Sequence, residues 1–286
     1  MTADPLGLFP GKTFISTVLE ALETKHAMSG ELARRYLQRA GMAGIIIGVL
    51  FATNFAIRAA FGEIAVGETT LQPIGRILGA ITFGWALVFI YYSKSELLTS
   101  NMMIVSIGAY HRRTSMAKSL RLLGLCFVGN ALGGLLVAVM MRFSTLAGGA
   151  AQAEMGAAVA TKLAYVADGA TGWTDLFVRA VLCNFMINLA MLLVYNGLIR
   201  EDLTKCLVMI VAVFIFAFLG FEHSVANTVL FTIVGLRDGI DVALAAGNVA
   251  ICLLGNFLGG GVLIGLYYAY VNDDARYLRT HPPVQP

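Results

Sequence analysis

Long apolar runs dominate the chain from about residue 41 onward, without the strict alternation that marks the strands of a barrel. Because roughly 20 apolar residues cross a bilayer as an α-helix, these runs predict six membrane spans. The spans lie near residues 41–62, 73–110, 119–145, 174–198, 204–236 and 243–271. The second and the fifth are too long for one straight crossing. The pattern predicts an all-α integral membrane protein.

Each of the two overlong spans contains a short polar segment, and the two segments are copies of each other. SELLTSN occupies residues 95–101, and FEHSVAN occupies residues 221–227. The polar residues they share lie 126 positions apart: Glu96 and Glu222, and Asn101 and Asn227. A Glu or Asn is costly to bury in apolar surroundings unless it is hydrogen-bonded. The paired copies therefore indicate an internal duplication with a polar break in each copy.

The same offset relates CFVGNALGG at residues 126–134 to CLLGNFLGG at residues 252–260. The glycines of these stretches, Gly133 among them, have the spacing that allows close contact between membrane helices. Each copy has three spans, an odd number, so the second copy enters the membrane from the opposite side. The sequence predicts an inverted 3+3 repeat, about residues 41–145 and 174–271, whose second and fifth helices are broken at mid-membrane.

Composition and charge exclude a soluble domain and orient the spans. Only 13% of the residues are charged, against about 25% in soluble domains. Of the 20 Lys and Arg residues, 13 lie in four segments that six spans place on one side: 12–39, 112–121, 200–205 and 276–279. By the positive-inside rule, both termini are cytoplasmic in an inner (plasma) membrane. The net charge of +3 reflects this topology, so a nucleic-acid partner is not expected.

Three regions follow from this pattern. Residues 1–40 have mixed charges and no uninterrupted apolar core, which predicts an amphipathic helix on the inner surface and not a signal peptide. Residues 41–272 form the six-helix transmembrane domain, and residues 273–286 form a cytoplasmic tail. The four cysteines fall within spans and lack metal or redox spacing, so neither a metal nor another cofactor is expected.

The breaks bring candidate chemistry to the middle of the membrane. Thr99 or Ser100, and Ser224, are predicted N-caps of the helices that follow them. Inversion would point both helix N-termini at the bilayer centre, where each carries about half a positive charge and favours an anion. His223 lies at one break and is the one histidine of four within a span. One interpretation is that His223 is only a structural hydrogen-bond donor. In the functional interpretation, the proton affinity of His223 would be coupled to the presence of an anion.

The other ionisable candidates have structural interpretations too. Glu96 and Glu222 could act as acid or base groups, but the favoured interpretation is that each carboxylate accepts hydrogen bonds that hold its loop. Lys94 could attract anions or extend toward the cytoplasmic side, and the sequence favours neither.

The segments ELLTSN at 96–101 and GFEHSVAN at 220–227, with the paired Gly-Asn motifs, resemble the formate/nitrite transporter family. The resemblance covers about residues 30–272. It implies an aquaporin-like fold with broken second and fifth helices. It also implies five protomers in a ring, each with its own pore. The implied substrates are small monovalent anions of weak acids, including formate, nitrite, hydrosulfide, acetate and lactate.

The resemblance also assigns pore residues. His223 matches the central pore histidine, Thr99 matches the hydroxyl that faces it, and Asn184 resembles the polar pore residue of the fourth helix. The apolar constrictions match four residues: Phe83, Leu87 and Leu97 on the inner side, and Phe216 on the outer side.

Three positions depart from the family pattern. Many members have a lysine shortly before the fourth helix that attracts anions, but Lys162 lies several residues too early for that register. Leu98 replaces a common Phe, and Lys94 replaces a common small residue. Either replacement could alter which anion is preferred.

These features give one hypothesis and two alternatives. In the hypothesis, helix dipoles draw a weak-acid anion to His223, which donates or relays a proton, and the neutral acid crosses the next constriction. The expected partners are membrane lipid, a small monovalent anion, a proton and four further copies in a homopentamer. The first alternative is an aquaporin-like pore for small neutral solutes. The second is an enzyme, which is not expected because HExxH and GxSxG motifs and a second intramembrane histidine are all missing from the sequence.

Overall fold

The computed structural model describes residues 5–146 and 148–280, and nearly all of its regular structure is helical. The α-helices of the described residues are α1 (Pro5–Leu8), α2 (Lys12–Gly30), α3 (Ala33–Gly62), α4 (Gln72–Tyr92), α5 (Leu98–Tyr110), α6 (Met116–Arg142), α7 (Gly149–Ala167), α8 (Gly169–Tyr195), α9 (Asp202–Leu219), α10 (Ser224–Asp238), α11 (Val242–Asn256), α12 (Tyr267–Val271) and α13 (Ala275–Thr280). A π-helical segment, Phe257–Leu266, joins α11 to α12. Strands β1 (Ala65–Val66) and β2 (Thr69–Thr70) form an antiparallel hairpin. Residues 1–4 of the predicted N-terminal segment and 281–286 of the predicted tail lie outside the described residues.

Within the described residues, six helices are long and apolar enough to cross a membrane. They are α3, α4, α6, α8, α9 and the continuous run from α11 to α12. Each overlaps a different predicted span, which confirms the prediction of a helical protein with six membrane-crossing segments. The first begins at Ala33, earlier than the predicted start at residue 41.

Both overlong spans divide into two helices at their polar segments. Residues 93–97 separate α4 from α5, and residues 220–223 separate α9 from α10. We call residues 93–97 the first junction and residues 220–223 the second junction. α5 and α10, with 13 and 15 residues, are too short to cross a membrane alone.

Helix α2 lies in the predicted N-terminal segment, and its apolar residues pack on the protein. Phe14, Val18 and Leu22 are fully buried, and α2 contacts α5. At its start, the Lys12 ammonium forms an ion pair with Asp274, just before α13. The N-terminal segment is therefore held against the transmembrane helices and the start of the C-terminal tail.

Glycines allow the closest helix contacts in both halves. A Cβ atom at Gly133 of α6 would lie 1.9 Å from the carbonyl oxygen of Gly41 on α3. A Cβ atom at Gly259 would lie 2.0 Å from the carbonyl oxygen of Val181 on α8. No side chain fits at either distance, so the helix backbones touch directly. This contact brings α3 and α8 against the helices that support the two junctions.

Helix α7 and the β1–β2 hairpin are not predicted by the hydrophobic pattern. α7 is rich in alanine, and Met155 and Val159 are its only buried residues. Its sequence therefore resembles a connection between spans more than a core helix. It nevertheless packs against α3 and α8.

Replacing Gly133 with alanine is expected to destabilise the protein by about 1–3 kcal/mol, since the added methyl group overlaps the Gly41 carbonyl. Gly124 lies on the same helix with no atom within 4 Å of its would-be Cβ. Gly124→Ala should be neutral or stabilise by up to about 1 kcal/mol. Thermal unfolding of the detergent-solubilised protein measures both. Equal effects of the two substitutions would contradict the close contact between α3 and α6.

Candidate functional site

Both junctions begin with the same kind of helix end. In each, an N–H group beyond the helix donates to a carbonyl of the last turn, at 3.0 Å in the first junction and 2.9 Å in the second. This bond requires a residue in the left-handed region. Lys94 (φ 56°) fills that position in the first junction, and Gly220 (φ 71°) fills it in the second. The left-handed conformation costs a side-chain-bearing residue about 1–2 kcal/mol, so the first junction carries strain that the second avoids.

Asn130 of α6 satisfies the backbone groups that the first junction leaves free. Its Oδ1 accepts from the N–H of Leu98 (3.1 Å), the first residue of α5. Its Nδ2 donates to the carbonyl oxygens of Ala40 and Glu96, at 2.8 Å each. One fully buried side chain thereby ties α3, α5 and α6 to the junction.

Asn256, 126 residues later, does the same at the second junction. Its Oδ1 accepts from the N–H of Ser224 (2.9 Å), and its Nδ2 donates to the carbonyls of Ala180 (2.8 Å) and Glu222 (3.0 Å). Each asparagine forms three hydrogen bonds that no water could supply in an apolar layer. The duplicated motif is thus a duplicated support for interrupted backbone.

The two junction carboxylates are buried and each is bound by one lysine and one asparagine. Glu222 is bound by Lys162 Nζ, 2.7 Å from both carboxylate oxygens, and by Asn227 Nδ2 at 2.6 Å. Glu96 is bound by Lys25 Nζ and by Asn101 Nδ2 at 3.1 Å. A buried carboxylate needs such a partner to remain ionised. The carboxylates therefore hold their junctions together, and each neutralises the lysine beside it.

His223 is the N-cap of α10. Its Nδ1 accepts from the N–H groups of Val225 (3.1 Å) and Ala226 (3.2 Å). A nitrogen that accepts two hydrogen bonds carries no proton, so the neutral ring has its proton on Nε2. Nε2 lies 3.2 Å from Thr99 Oγ1, in the first turn of α5. The imidazole thus joins the N-terminal turns of α5 and α10, and His223 and Thr99 are almost completely buried.

This arrangement corrects the predicted caps. Ser224 was expected to cap α10, but its Oγ is buried and has no hydrogen-bond partner among the described residues. α5 starts after Leu97 without a side-chain cap, so neither Thr99 nor Ser100 fills that role. The reason is that His223 already occupies the free N–H groups of α10, and the Thr99 hydroxyl is turned toward the ring.

Three cavities adjoin His223 and the junctions. Cavity 1, about 300 Å³, lies beside the first junction; cavity 2, about 230 Å³, lies beside the second; cavity 3, about 20 Å³, lies between them. Cavity 3 shares Leu87, Ile90 and Leu97 with cavity 1, and Phe83, Phe216, His223 and Ala226 with cavity 2. The cavities therefore follow one another through the protein, and the middle one is the narrowest.

The predicted constriction residues surround the narrow middle cavity. Leu87 and Leu97 separate it from cavity 1, on the side predicted to be the inner one. Phe83 was assigned to that inner group, but its ring lies 5.9 Å from Phe216 and lines cavity 2. Phe216 in turn lies 6.0 Å from the imidazole of His223. Two leucines thus bound cavity 3 on one side and two phenylalanines on the other.

Asn184 of α8 does not line any of these three cavities, in contrast to the pore position that the resemblance implied. It is fully buried, and its Nδ2 donates to the carbonyls of Thr99 (3.1 Å) and Asn256 (2.7 Å). Asn188, one turn later, also donates to the Thr99 carbonyl (3.2 Å). Thr99 lines none of the three cavities, so both asparagines hold it in the packed interior beside His223.

Each large cavity is lined by three basic residues and one acidic residue. Cavity 1 has Lys25, Arg39, Lys94 and Glu96; cavity 2 has Arg58, Lys162, Arg179 and Glu222. The cations of cavity 2 are all paired, since Arg58 binds Glu154 at 2.9 Å and Arg179 binds Asp175 at 2.8 Å. Among the described residues, Arg39 and Lys94 of cavity 1 have no carboxylate within 4.0 Å.

The structure places Lys162 at the site despite its early position in the sequence. α7 begins well before the predicted fourth span, and it packs against α8, α10 and α11. Lys162 therefore reaches cavity 2 from a separate helix. Lys94 is exposed at cavity 1, with its ammonium 4.9 Å from the centre of the Tyr91 ring.

Sequence reasoning missed Lys25 and Tyr36 as site residues, and it missed the glutamate partner of Lys162. Lys25 and Lys162 pair with glutamates 71 and 60 residues away, and no local spacing signals such a contact. Tyr36, whose hydroxyl accepts from Asn101 Nδ2 (3.0 Å), resembles an ordinary core aromatic. In the part of the chain that the structure describes, no cluster of three or more His, Cys, Asp or Glu residues could hold a metal ion.

Comparison with known proteins identifies the family. Residues 12–270 match the family model described as formate/nitrite transporter. The chain is 28% identical over 232 residues to the nitrite transporter NirC of Salmonella typhimurium, covering 80% of each sequence. The family and the six long apolar helices make this a multi-pass membrane protein, and the family function is passage of anions across the membrane.

Solved structures share the fold. An FNT family ion channel superposes with a TM-score of 0.77 at 24% identity, covering 91% of this chain and 99% of that one. A pentameric formate channel with formate bound superposes with a TM-score of 0.67 at 21% identity, covering 84% and 98%. At these identities the likeness concerns the fold alone, and the family model carries the assignment. The chain belongs to the formate/nitrite transporter family.

Proposed function

We propose that the protein passes a small weak-acid monovalent anion, of the formate, nitrite or hydrosulfide class, through cavities 1, 3 and 2. His223 is the group that exchanges a proton with the anion. The names of its relatives support the substrate class, since NirC is a nitrite transporter and one structural neighbour is a formate channel with formate bound.

The contact between His223 and Thr99 carries this proposal. It lies where the N-terminal turns of α5 and α10 meet, beside the narrowest cavity. Both helix N-termini favour negative charge there. An anion is thus attracted to a place that is too narrow for its hydration shell.

The hydrogen bonds of His223 define what proton transfer requires. The neutral ring presents Nε2–H toward Thr99, and an arriving anion can accept that hydrogen bond instead. Full transfer from the neutral ring would leave an imidazolate, so the ring must first gain a proton on Nδ1. While His223 caps α10, its Nδ1 faces two backbone N–H donors and cannot carry a proton. The ring must therefore leave the N-terminus of α10 when Nδ1 is protonated. Proton uptake is therefore coupled to uncapping of α10.

The protonated ring completes the cycle. It gives one proton to an oxygen or sulfur of the anion, returns to the neutral form and caps α10 again. The neutral acid then crosses the apolar side chains at the far end of cavity 3. An ion would lose several kcal/mol of hydration energy at this point, which the neutral acid does not.

The finer architecture belongs to the same proposal. The two junctions are mid-membrane breaks of an inverted 3+3 repeat, which the matched contacts of Asn130 and Asn256 support. Cavity 1 opens to the cytoplasm, where the Lys and Arg distribution also places both termini. Five copies assemble as in the pentameric formate channel, with lipid around the ring.

His223→Asn should convert pH-dependent anion uptake into a pH-independent leak. Asparagine is also a good N-cap, so α10 remains supported, but it cannot take up a proton. His223→Phe removes the cap as well and should give a blocked, less stable pore. Uptake of radiolabelled formate into proteoliposomes, measured between about pH 5 and pH 8, distinguishes these outcomes.

Two threonines provide a matched control for this experiment. Thr99→Val removes the hydroxyl that faces His223, and should reduce uptake. Thr228→Val makes the same change on α10, at a hydroxyl that donates to the Ser224 carbonyl and does not face His223, and should leave uptake unchanged. The proposal is wrong if His223→Asn retains the pH dependence of the unaltered protein.

Lys162→Met should lower anion uptake by about tenfold or more, since it leaves the buried Glu222 carboxylate uncompensated beside cavity 2. The double variant Lys162→Met/Glu222→Gln removes both charges and should recover most of the lost uptake. Thermal unfolding of both variants shows whether the single substitution acts through stability. Uptake no higher in the double variant than in Lys162→Met would contradict the role of charge balance.

A further inference from the structure

Lys94 has a backbone conformation that is unfavourable for lysine, and the second junction shows which residue adopts it without strain. Gly220 lies 126 residues later, at the equivalent point of the second junction, and has the same left-handed conformation. Glycine adopts that conformation without strain, but lysine does not. The first junction thus keeps a strained cation where its counterpart has the relaxed residue. Strain of this kind is commonly retained where a side chain has a function.

The surroundings of Lys94 indicate what that function is. Its side chain lines cavity 1 together with Arg39, and neither cation has a carboxylate within 4.0 Å among the described residues. The hydroxyl-bearing residues Ser95 and Ser100 line the same cavity. The remaining charges of the wall, Lys25 and Glu96, neutralise each other. Cavity 1 therefore presents two unpaired cations and hydroxyl donors to a volume of about 300 Å³.

Cavity 2 lacks this feature. Its three basic residues are all engaged by carboxylates, at 2.7 to 2.9 Å. The two mouths of the path therefore differ in their attraction for an anion, although the supports of the two junctions match.

We propose that Lys94 and Arg39 form an anion-binding subsite in cavity 1, separate from His223, that collects small monovalent anions before they enter the narrow cavity. This inference rests on the function proposed above for its ligand class. The subsite makes anion entry from the cavity 1 side faster and more dependent on ionic strength than entry from the cavity 2 side. Its ligand is a small carboxylate or an anion of similar size.

The alternative role of Lys94 is structural. A cation near the last carbonyls of α4 interacts favourably with the helix dipole, and the ammonium also contacts the Tyr91 ring. Arg112 supplies the matched control, because it has the same φ of 56° just after α5 but does not line cavity 1. A purely structural effect would be shared by both positions.

Lys94→Gly, Lys94→Arg and Arg112→Gly test the subsite in the full-length protein. Binding of isotope-labelled formate is followed by NMR line broadening, at ionic strengths of about 0.01 M and about 1 M. Lys94→Gly should weaken binding by about threefold to tenfold at low ionic strength, and by much less at high ionic strength. Lys94→Arg and Arg112→Gly should bind formate like the unaltered protein. Lys94→Gly should also melt no earlier, since glycine relieves the strain.

Formate binding by Lys94→Gly equal to that of the unaltered protein, or an equal loss in Arg112→Gly, overturns the subsite. A loss of binding that is the same at both ionic strengths also overturns it. Formate flux through the unaltered protein in proteoliposomes is measured separately. Absent flux with Lys94-dependent binding would reject the proposed transport and leave the subsite standing, whereas normal flux with Lys94-independent binding would reject the subsite alone.

Discussion

The structure depends on hydrogen bonds to backbone groups that two interrupted helices leave unpaired. A helix that stops inside an apolar layer exposes N–H and C=O groups that hydrocarbon cannot satisfy. Asn130 and Asn256 satisfy them, each with one acceptor bond and two donor bonds to the junction beside it. Without these side chains, the same backbone groups would lose their hydrogen-bond partners. The positions of the carboxylates, the histidine and the cavities all follow from where the two helices stop.

The two halves share their supports and differ in their chemistry. Asn130 and Asn256 occupy equivalent positions and make equivalent contacts. His223, in contrast, is equivalent to Leu97, an apolar residue that caps nothing. Thr99 is equivalent to Val225, which has no hydroxyl. The two junctions thus share their supporting asparagines and differ at a few positions, where one junction has an imidazole and the other has a hydroxyl that faces it.

Sequence reasoning located the polar residues whose burial costs the most free energy and whose pattern is visible in the sequence itself. Buried Glu and Asn residues at a fixed offset located both junctions, because an apolar layer tolerates them only where they are bonded. It could not predict Lys25 or Lys162 as partners, since these come from helices whose docking no periodicity specifies. His223 was singled out, but its use of Nδ1 as a cap depends on a ring orientation that only coordinates give. Asn184 was assigned to the pore by the resemblance to the family, since the sequence alone does not show which way a side chain of the fourth helix faces.

The small size of cavity 3 has a consequence for the water that the protein can hold. At about 20 Å³ it holds roughly one water molecule, with apolar side chains on both sides. A continuous file of hydrogen-bonded water, along which protons would run freely, cannot form through such a gap. Cavity 3 therefore interrupts any chain of water molecules between cavities 1 and 2.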